Sequence, residues 1–323
     1  MKVPFITKSY LLAVLLLIAG VTNATNYYVD PSSTATTQNG AMATPWKTLS
    51  QVQSNMSLFQ PGDFIYFKRG QTFTGTLNIT KSGTAAAPIT FATYGTATEA
   101  PIFTSTSSNL FNMMNRQYLV FDGFKVTDLT LDPNDRTQEA IIDIAFYIDG
   151  SSYITVKNCD ISLVGVGINM VGSNNTMDHC TIGNLRMIRN TVGGDDDYGA
   201  NPVVISGANN NITSNFFQDC WAYSYDYTYD GGAIEMYGAT NNNNKIMYNT
   251  AVNCDGFMEI GFSGGGATND NIVAYNKIVN CGELVYISNS GTYATAVNNL
   301  QFFNNVIVHT VNQLTNPTSM IGM

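Results

Sequence analysis

Two short stretches carry acids at nearly matched spacing. "DGGAIEMYGA" (230–239) sets Asp230 and Glu235 around a glycine pair, and "DGFMEIG" (255–261) sets Asp255 and Glu259 around almost the same pattern. Two carboxyls flanking one bond are what glycoside hydrolysis requires, one protonated as acid and one ionised as base or nucleophile. Each glutamate sits in an alternating run. If Ile234 and Met236, and likewise Met258 and Ile260, point inward, Glu235 and Glu259 point outward. Whether they meet depends on the elements that carry them.

Those elements form a repeat. "NNITSNFFQDC", "NKIMYNTAVNC", "DNIVAYNKIVNC" and "NNLQFFNNVIVHT" each read as a short strand, an Asn turn and a second short strand. The turn asparagines Asn215, Asn249, Asn276 and Asn305 are spaced 34, 27 and 29 apart, and helical periodicity is absent from about residue 102 onward. Cys220, Cys254 and Cys281 each follow their asparagine by five positions, so cysteine fills an equivalent interior slot in successive coils, with Cys159 and Cys180 as an earlier pair. Five cysteines are an odd number for a disulfide framework, and the spacing reads as buried thiols acting as small apolar groups. Asparagine suits a turn that requires left-handed backbone angles, and stacked turns can form ladders.

This pattern resembles the right-handed parallel β-helix proteins of the pectin-lyase-like group. The N-terminal part shares the resemblance through "NYYVDPSSTATTQNGAMATPWKTLSQV", "FQPGDFIYFKRGQTFTGTLNI" and "SGTAAAPITFATYG". It implies an all-β solenoid over 25–323, with a cap over about 25–60 that covers the open end of the core. The fold hosts lyases, hydrolases, esterases and adhesins, so the activity must come from the site.

Aligned on the cysteines, Glu259 and Tyr286 each follow by five positions, whereas Glu235 follows Cys220 by fifteen. Ten residues, "WAYSYDYTYD" (221–230), are inserted, bringing Trp221, Tyr223, Tyr225, Tyr227 and Tyr229 as sugar-stacking candidates. Removing the insertion places Glu235 and Glu259 on adjacent strands, about 4.8 Å apart. Ser206 precedes them in the outward row, Tyr286 follows, and Asn169 lies one coil before Ser206. Like charges so placed raise one pKa and keep one carboxyl protonated, and a separation near 5 Å suits a retaining mechanism. Asp230, at the loop's end, reads as a third acid or as an alternative partner at longer separation. Two other readings of Glu235 and Glu259 stay open, a calcium site completed by Asn and Asp oxygens and a solvated acidic patch. The "GGDDDYG" turn, with Asp195, Asp196 and Asp197, reads equally as a solvated turn or a cation or substrate site.

The chondroitinase B and alginate lyase family is similar over the same stretch. That likeness implies a lysine and an arginine on the following strands, where this chain has Ala239 or Thr240 and Gly261. Arg186 and Arg189, in the earlier excursion 183–202, are the groups through which a uronate could still be bound, so the lyase is the alternative to the hydrolase. A non-catalytic carbohydrate-binding solenoid is the third reading. Lys245, His179 and His309 read as structural turn or strand-end residues.

Composition sets the outer limits. The 323 residues carry a formal net charge of −9 with 11% charged residues, which disfavours nucleic acid and would repel polyanionic glycans unless a cation or basic patch intervened. Lys2 and Lys8 precede the apolar run 11–20, and "TNA" ends at Ala24, the pattern of a cleaved signal peptide over 1–24. The expected protein is therefore a secreted, periplasmic or cell-surface monomer acting on oligo- or polysaccharide, off the membrane once cleaved, with no cofactor beyond the calcium reading. The chain stops at "NPTSMIGM" without a recognisable cap, from which a longer natural chain is expected.

Overall fold

The computed structural model describes residues 24–238, 240–262, 266–288, 295–310 and 321–322. The segment 1–24 expected to be a signal peptide lies, apart from Ala24, outside these residues, as do Ala239 and most of the C-terminal stretch 312–323.

The chain winds as a right-handed parallel β-helix with three faces. Face one runs from Leu77–Ile79 through Val166–Ser173, Asn201–Ser206, Ile234–Tyr237, Met258–Gly261 and Val285–Ile287 to Ile321–Gly322. Face two begins with Asn26–Val29 and Phe64–Lys68 and reaches Gln301–Phe303. Face three runs from Thr72–Thr74 to Val306–Val308. The long strand Ile144–Lys157 bends around a corner and belongs to faces one and two. The N-terminal cap is the helix Leu49–Ser54, started by Thr48 accepting from the Gln51 amide, with Leu49, Val52, Trp46 and Phe59 turned into the core.

Alternation explains the packing, because every second residue of each strand enters a narrow core. In the early coils these residues are phenylalanines stacked along the axis, as in Phe91 on Phe121 (4.9 Å) and Phe111 on Phe146 (4.8 Å). Further on, smaller groups take over, and all five cysteines are buried and free.

Two asparagine ladders tie the coils. Asn215, Asn249, Asn276 and Asn305 each accept, through Oδ1, the backbone N–H of the matching residue one coil earlier, at 2.9 to 3.0 Å. A second ladder, not foreseen from the sequence, joins Asn175, Asn210, Asn244 and Asn271 at 2.8 to 2.9 Å. The left-handed angles fall on the residue before each of the first set, namely Ser214, Tyr248, Tyr275 and Asn304. The ladder asparagines are therefore selected for hydrogen bonding inside the coil rather than for backbone freedom.

Three insertions leave the solenoid at one corner, between faces three and one, at about 128–143, 184–200 and 221–233. They join into a wall. Arg136 Nη1 donates to the carbonyls of Asp219 (2.9 Å) and Trp221 (2.6 Å), and its guanidinium lies 4.1 Å from the Trp221 ring centre. Arg186, fully buried, donates to the carbonyls of Asn184, Leu185 and Asp132. Among the described residues, no helix is long and apolar enough to cross a membrane.

Candidate functional site

Glu235 and Glu259 are direct register partners on adjacent face-one strands, with Ile234 opposite Met258 and Met236 opposite Ile260. The apolar partners are buried and the glutamates face outward. The row continues to Tyr286 on one side. On the other it runs to Val204 and then Asn169. Ser206 is therefore not in the row; it stands two residues further along the strand. The corner between faces one and two explains the slip, since it lengthens in later coils, where extra strands such as Thr240–Asn242 are added.

The pair lies in a cleft of ≈ 1180 Å³ floored by face one. One wall is built from the second and third insertions, through Asp195, Asp196, Asp197 and Tyr198 and through Tyr227, Tyr229 and Asp230. Tyr237 and Phe262, edge-on at 5.4 Å, flank the opposite side. The third insertion is an antiparallel hairpin of Ala222–Ser224 and Thr228–Asp230. It turns back to the floor through Gly231 and Gly232 at φ 130° and 158°. A Cβ on Gly231 would come within 2.9 Å of the Ala200 Cβ, so only glycine allows this approach. The turn delivers Asp230 to the cleft beside the two glutamates.

The other expected site residues divide. Tyr227, Tyr229 and Tyr286 line the cleft, whereas Trp221, Tyr223 and Tyr225 do not. The strand that carries Tyr223 packs against the first insertion, where its N–H meets the Arg136 carbonyl, leaving the returning strand nearer the cleft. Trp221 is held between Arg136 and the edge of Tyr229. Arg186 is interior, its Nη1 and Nη2 donating to carbonyls while its Nε is buried without a hydrogen-bond partner among the described residues, and it cannot meet a uronate. Arg189 is ion-paired with Asp196 on the wall and is not part of the cleft lining.

Eight carboxylates line the cleft: Asp195, Asp196, Asp197, Asp230, Glu235, Asp255, Glu259 and Glu283. No lysine, arginine or histidine lines it among the described residues. Three of the wall acids are held by local bonds: Asp195 accepts from the Tyr227 hydroxyl, Asp196 pairs with Arg189, and Asp197 accepts from Ser224. Asp196, Asp197 and Asp226 also bring carboxylate oxygens within 4.8 Å of one another. Asp226 accepts the Asp196 and Asp197 amides there, and its own amide donates to Asp197, so the cluster ties the two insertions together. If calcium were held at the floor, Glu235, Glu259 and Asp230 would be its oxygen donors.

Asp230, Glu235, Asp255 and Glu259 all titrate above the ordinary carboxylate range. Burial first, then the charges of Glu259, Asp255 and Asp197, pushes Asp230 up to about 8 against one opposing bond from the Gly231 amide. Burial and then Glu283 and Glu259 push Asp255 up to about 7. Glu235 is raised well above the usual range by burial, then by Glu259 and Asp230, with Asn201 acting the other way. Glu259, the most solvent-open of the set, is raised by burial of its carboxyl in the cleft and then by Glu283. Two neighbours escaped the sequence reading. Asn201 Nδ2 donates to Glu235 Oε2 at 2.5 Å. Tyr198 stays protonated through burial, then the charges of Glu235 and Asp230. Both lie at the end of the excursion at 183–202, where the "NP" step at 201–202 was the available signal.

Residues 144–316 match the family model described as right handed beta helix region. The chain belongs to that family. No curated protein matches it in sequence. Among solved structures, an alginate lyase from Paenibacillus sp. str. FPU-7 superposes with TM-score 0.56 at 15% identity, covering 85% of this chain and 97% of its own. The GH136 lacto-N-biosidase from Eubacterium ramulus gives 0.52 at 12%, covering 88% of this chain and 68% of its own. A tailspike mutant of E. coli bacteriophage HK620, in complex with a pentasaccharide, gives 0.57 at 12%, covering 86% and 57%. Carbohydrate-active β-helix proteins of both lyase and hydrolase chemistry thus share this fold.

Proposed function

We propose that this chain is an exported glycoside hydrolase that cleaves a neutral oligo- or polysaccharide in the face-one cleft. The observation that carries the reading is that eight carboxylates line the cleft and no basic side chain does, among the described residues. Elimination at a uronate needs a base beside the scissile bond and a positive group to offset the substrate's carboxylate. An all-acid lining supplies no such positive group and repels a polyanion. Hydrolysis needs carboxyls in different protonation states, and this floor favours that division.

Glu259, the most open to water, ionises first and serves as base or nucleophile. Glu235, crowded between Glu259 and Asp230, keeps its proton as general acid. Asp230 assists as a second protonated carboxyl that donates to a sugar oxygen. Adjacent strands stand about 4.8 Å apart, the separation that goes with retention. Tyr227, Tyr229 and Tyr286 offer ring faces or edges to the sugar.

The test is a panel of neutral glycans and uronate polymers, assayed in parallel for new reducing ends and for ultraviolet-absorbing unsaturated products. New reducing ends from a neutral glycan, undiminished by chelation, are expected. Unsaturated product from alginate, pectin or chondroitin would establish the lyase. Activity lost on chelation and restored by calcium would make Glu235 and Glu259 metal ligands. Glycan binding without any product would leave a binding solenoid. Export is checked by N-terminal sequencing of secreted protein, expected to begin at Thr25.

A further inference from the structure

The geometry points to Asn201 as a positioning residue that decides which oxygen of Glu235 carries the transferable proton; this deepens the hydrolase reading and rests on it. Asn201 is 7% exposed and opens the strand Asn201–Ser206, three residues before Val204, the register partner of Glu235. Its Nδ2 donates to Glu235 Oε2, while no hydrogen bond reaches Oε1 among the described residues. An amide N–H can only donate. In a protonated carboxyl, the oxygen that accepts from it is the carbonyl oxygen, so the proton resides on Oε1. That leaves Oε1–H as the group available to a glycosidic oxygen and withholds Oε2 from it.

The backbone holds Asn201 to this task. Pro202 follows, which confines Asn201 to extended angles. Its own N–H donates to the Gly165 carbonyl at 3.2 Å, and the preceding Ala200 is fixed at φ 56° with its N–H on the Arg186 carbonyl at 2.9 Å. Ala200 in turn receives the Gly231 turn that delivers Asp230. One junction therefore sets both the orienting amide and the third acid. The reverse arrangement, with Glu235 donating to Asn201 Oδ1, would consume the proton and disable the acid, and it predicts the opposite pH shift.

The experiment is Asn201→Leu, which keeps the branched shape and removes the amide, compared with the wild type and Glu235→Gln on the same neutral glycan. A decrease in kcat of about 100-fold is expected from lost orientation, with KM within about twofold. The basic limb of kcat/KM should move to higher pH, because a donor favouring the charged form has gone. Movement to lower pH would show the amide turned round and overturn the proposal. Unchanged kcat and pH profile, with Glu235→Gln inactive, would overturn it while leaving the hydrolase reading intact. Full activity in Glu235→Gln would instead sink the hydrolase assignment. Carbon-13 carboxyl titration of the ligand-free protein needs no substrate, and there the Glu235 midpoint must rise in Asn201→Leu or the proposal fails. Should that variant melt early, Asn201→Ala provides the same two readouts.

Discussion

Glu235 stands directly opposite Glu259 in parallel register, flanked along the row by Val204 and Tyr286. Two acids stacked at strand spacing repel, and sheets ordinarily avoid the arrangement. Here Asn201 donates to one of them, the other opens to solvent, and Asp230 and Asp255 close in with raised pKa values. Burial first, and then repulsion between the acids, favours protons on carboxyls at a pH where isolated ones would have lost them, which is the state an acid catalyst needs.

Glutamine at either position keeps the shape and removes the chemistry. Glu235→Gln and Glu259→Gln should each lower turnover by about 10²–10⁴-fold, with glycan binding nearly unchanged. Because each removes one member of a repelling pair, melting temperature at pH 8 should stay level or rise. A fall in stability that calcium reverses would show a metal site instead.

Acid crowding also fixes how stability depends on pH. Asp230 and Asp255 have folded pKa values of about 8 and about 7, above the usual 3.8. The folded state binds more protons than the unfolded one between these limits, so stability is greatest near pH 4 and declines as pH rises toward 8. Asp230→Asn should flatten that decline in thermal melts taken across pH 4 to 9. A variant whose melting temperature tracks the wild type at every pH would show that Asp230 does not hold its proton.

Asparagine spacing made the coils legible, because a solenoid repeats its hydrogen bonding locally and each turn leaves its mark in sequence. The register of Glu235 with Glu259 was legible for the same reason once the insertion at 221–230 was removed. Val204 was not, because Asn169, Ser206 and Glu235 had to be counted across corners of unequal length. The fate of Arg186 was hidden too, since its partner carbonyl on Asp132 lies 54 residues away in an insertion with no repeat to align. Trp221 and Tyr223 looked like sugar platforms by composition, and only the hairpin's pairing turns them against the wall.

The ladder can be tested alone. Asn249 accepts from the Asn215 backbone and side chain, and its Nδ2 donates to the Ile212 carbonyl and to Asn276 Oδ1. Asn249→Ala strands several buried polar groups at about 1–3 kcal/mol each. A loss of at least about 2 kcal/mol is expected in denaturant unfolding, with Asn269→Ala costing less, since Asn269, which donates to Asn242 and accepts from Asn298 on the corner strand Gly266–Asn269, is only part-buried. Equal costs would mean that the interior ladder is not a principal tie between coils.

The wall offers a prediction that separates shape from charge. Arg136 is a half-buried cation with no carboxylate ion pair among the described residues; burial lowers its pKa, and it is satisfied by two carbonyls and the face of Trp221. Lysine has neither the planar fork nor the stacking surface, so Arg136→Lys keeps the charge and loses both contacts. If the first insertion braces the third through this residue, Arg136→Lys should free the 221–230 hairpin, seen as faster amide exchange across Ala222–Asp230, and reduce turnover because Asp230 is delivered by that hairpin. Arg189→Ala, which removes a cation outside the cleft lining, should leave turnover within about twofold on the same neutral glycan. Activity lost in Arg189→Ala but kept in Arg136→Lys would mean that positive charge at the rim, rather than the rigidity of the wall, serves the substrate.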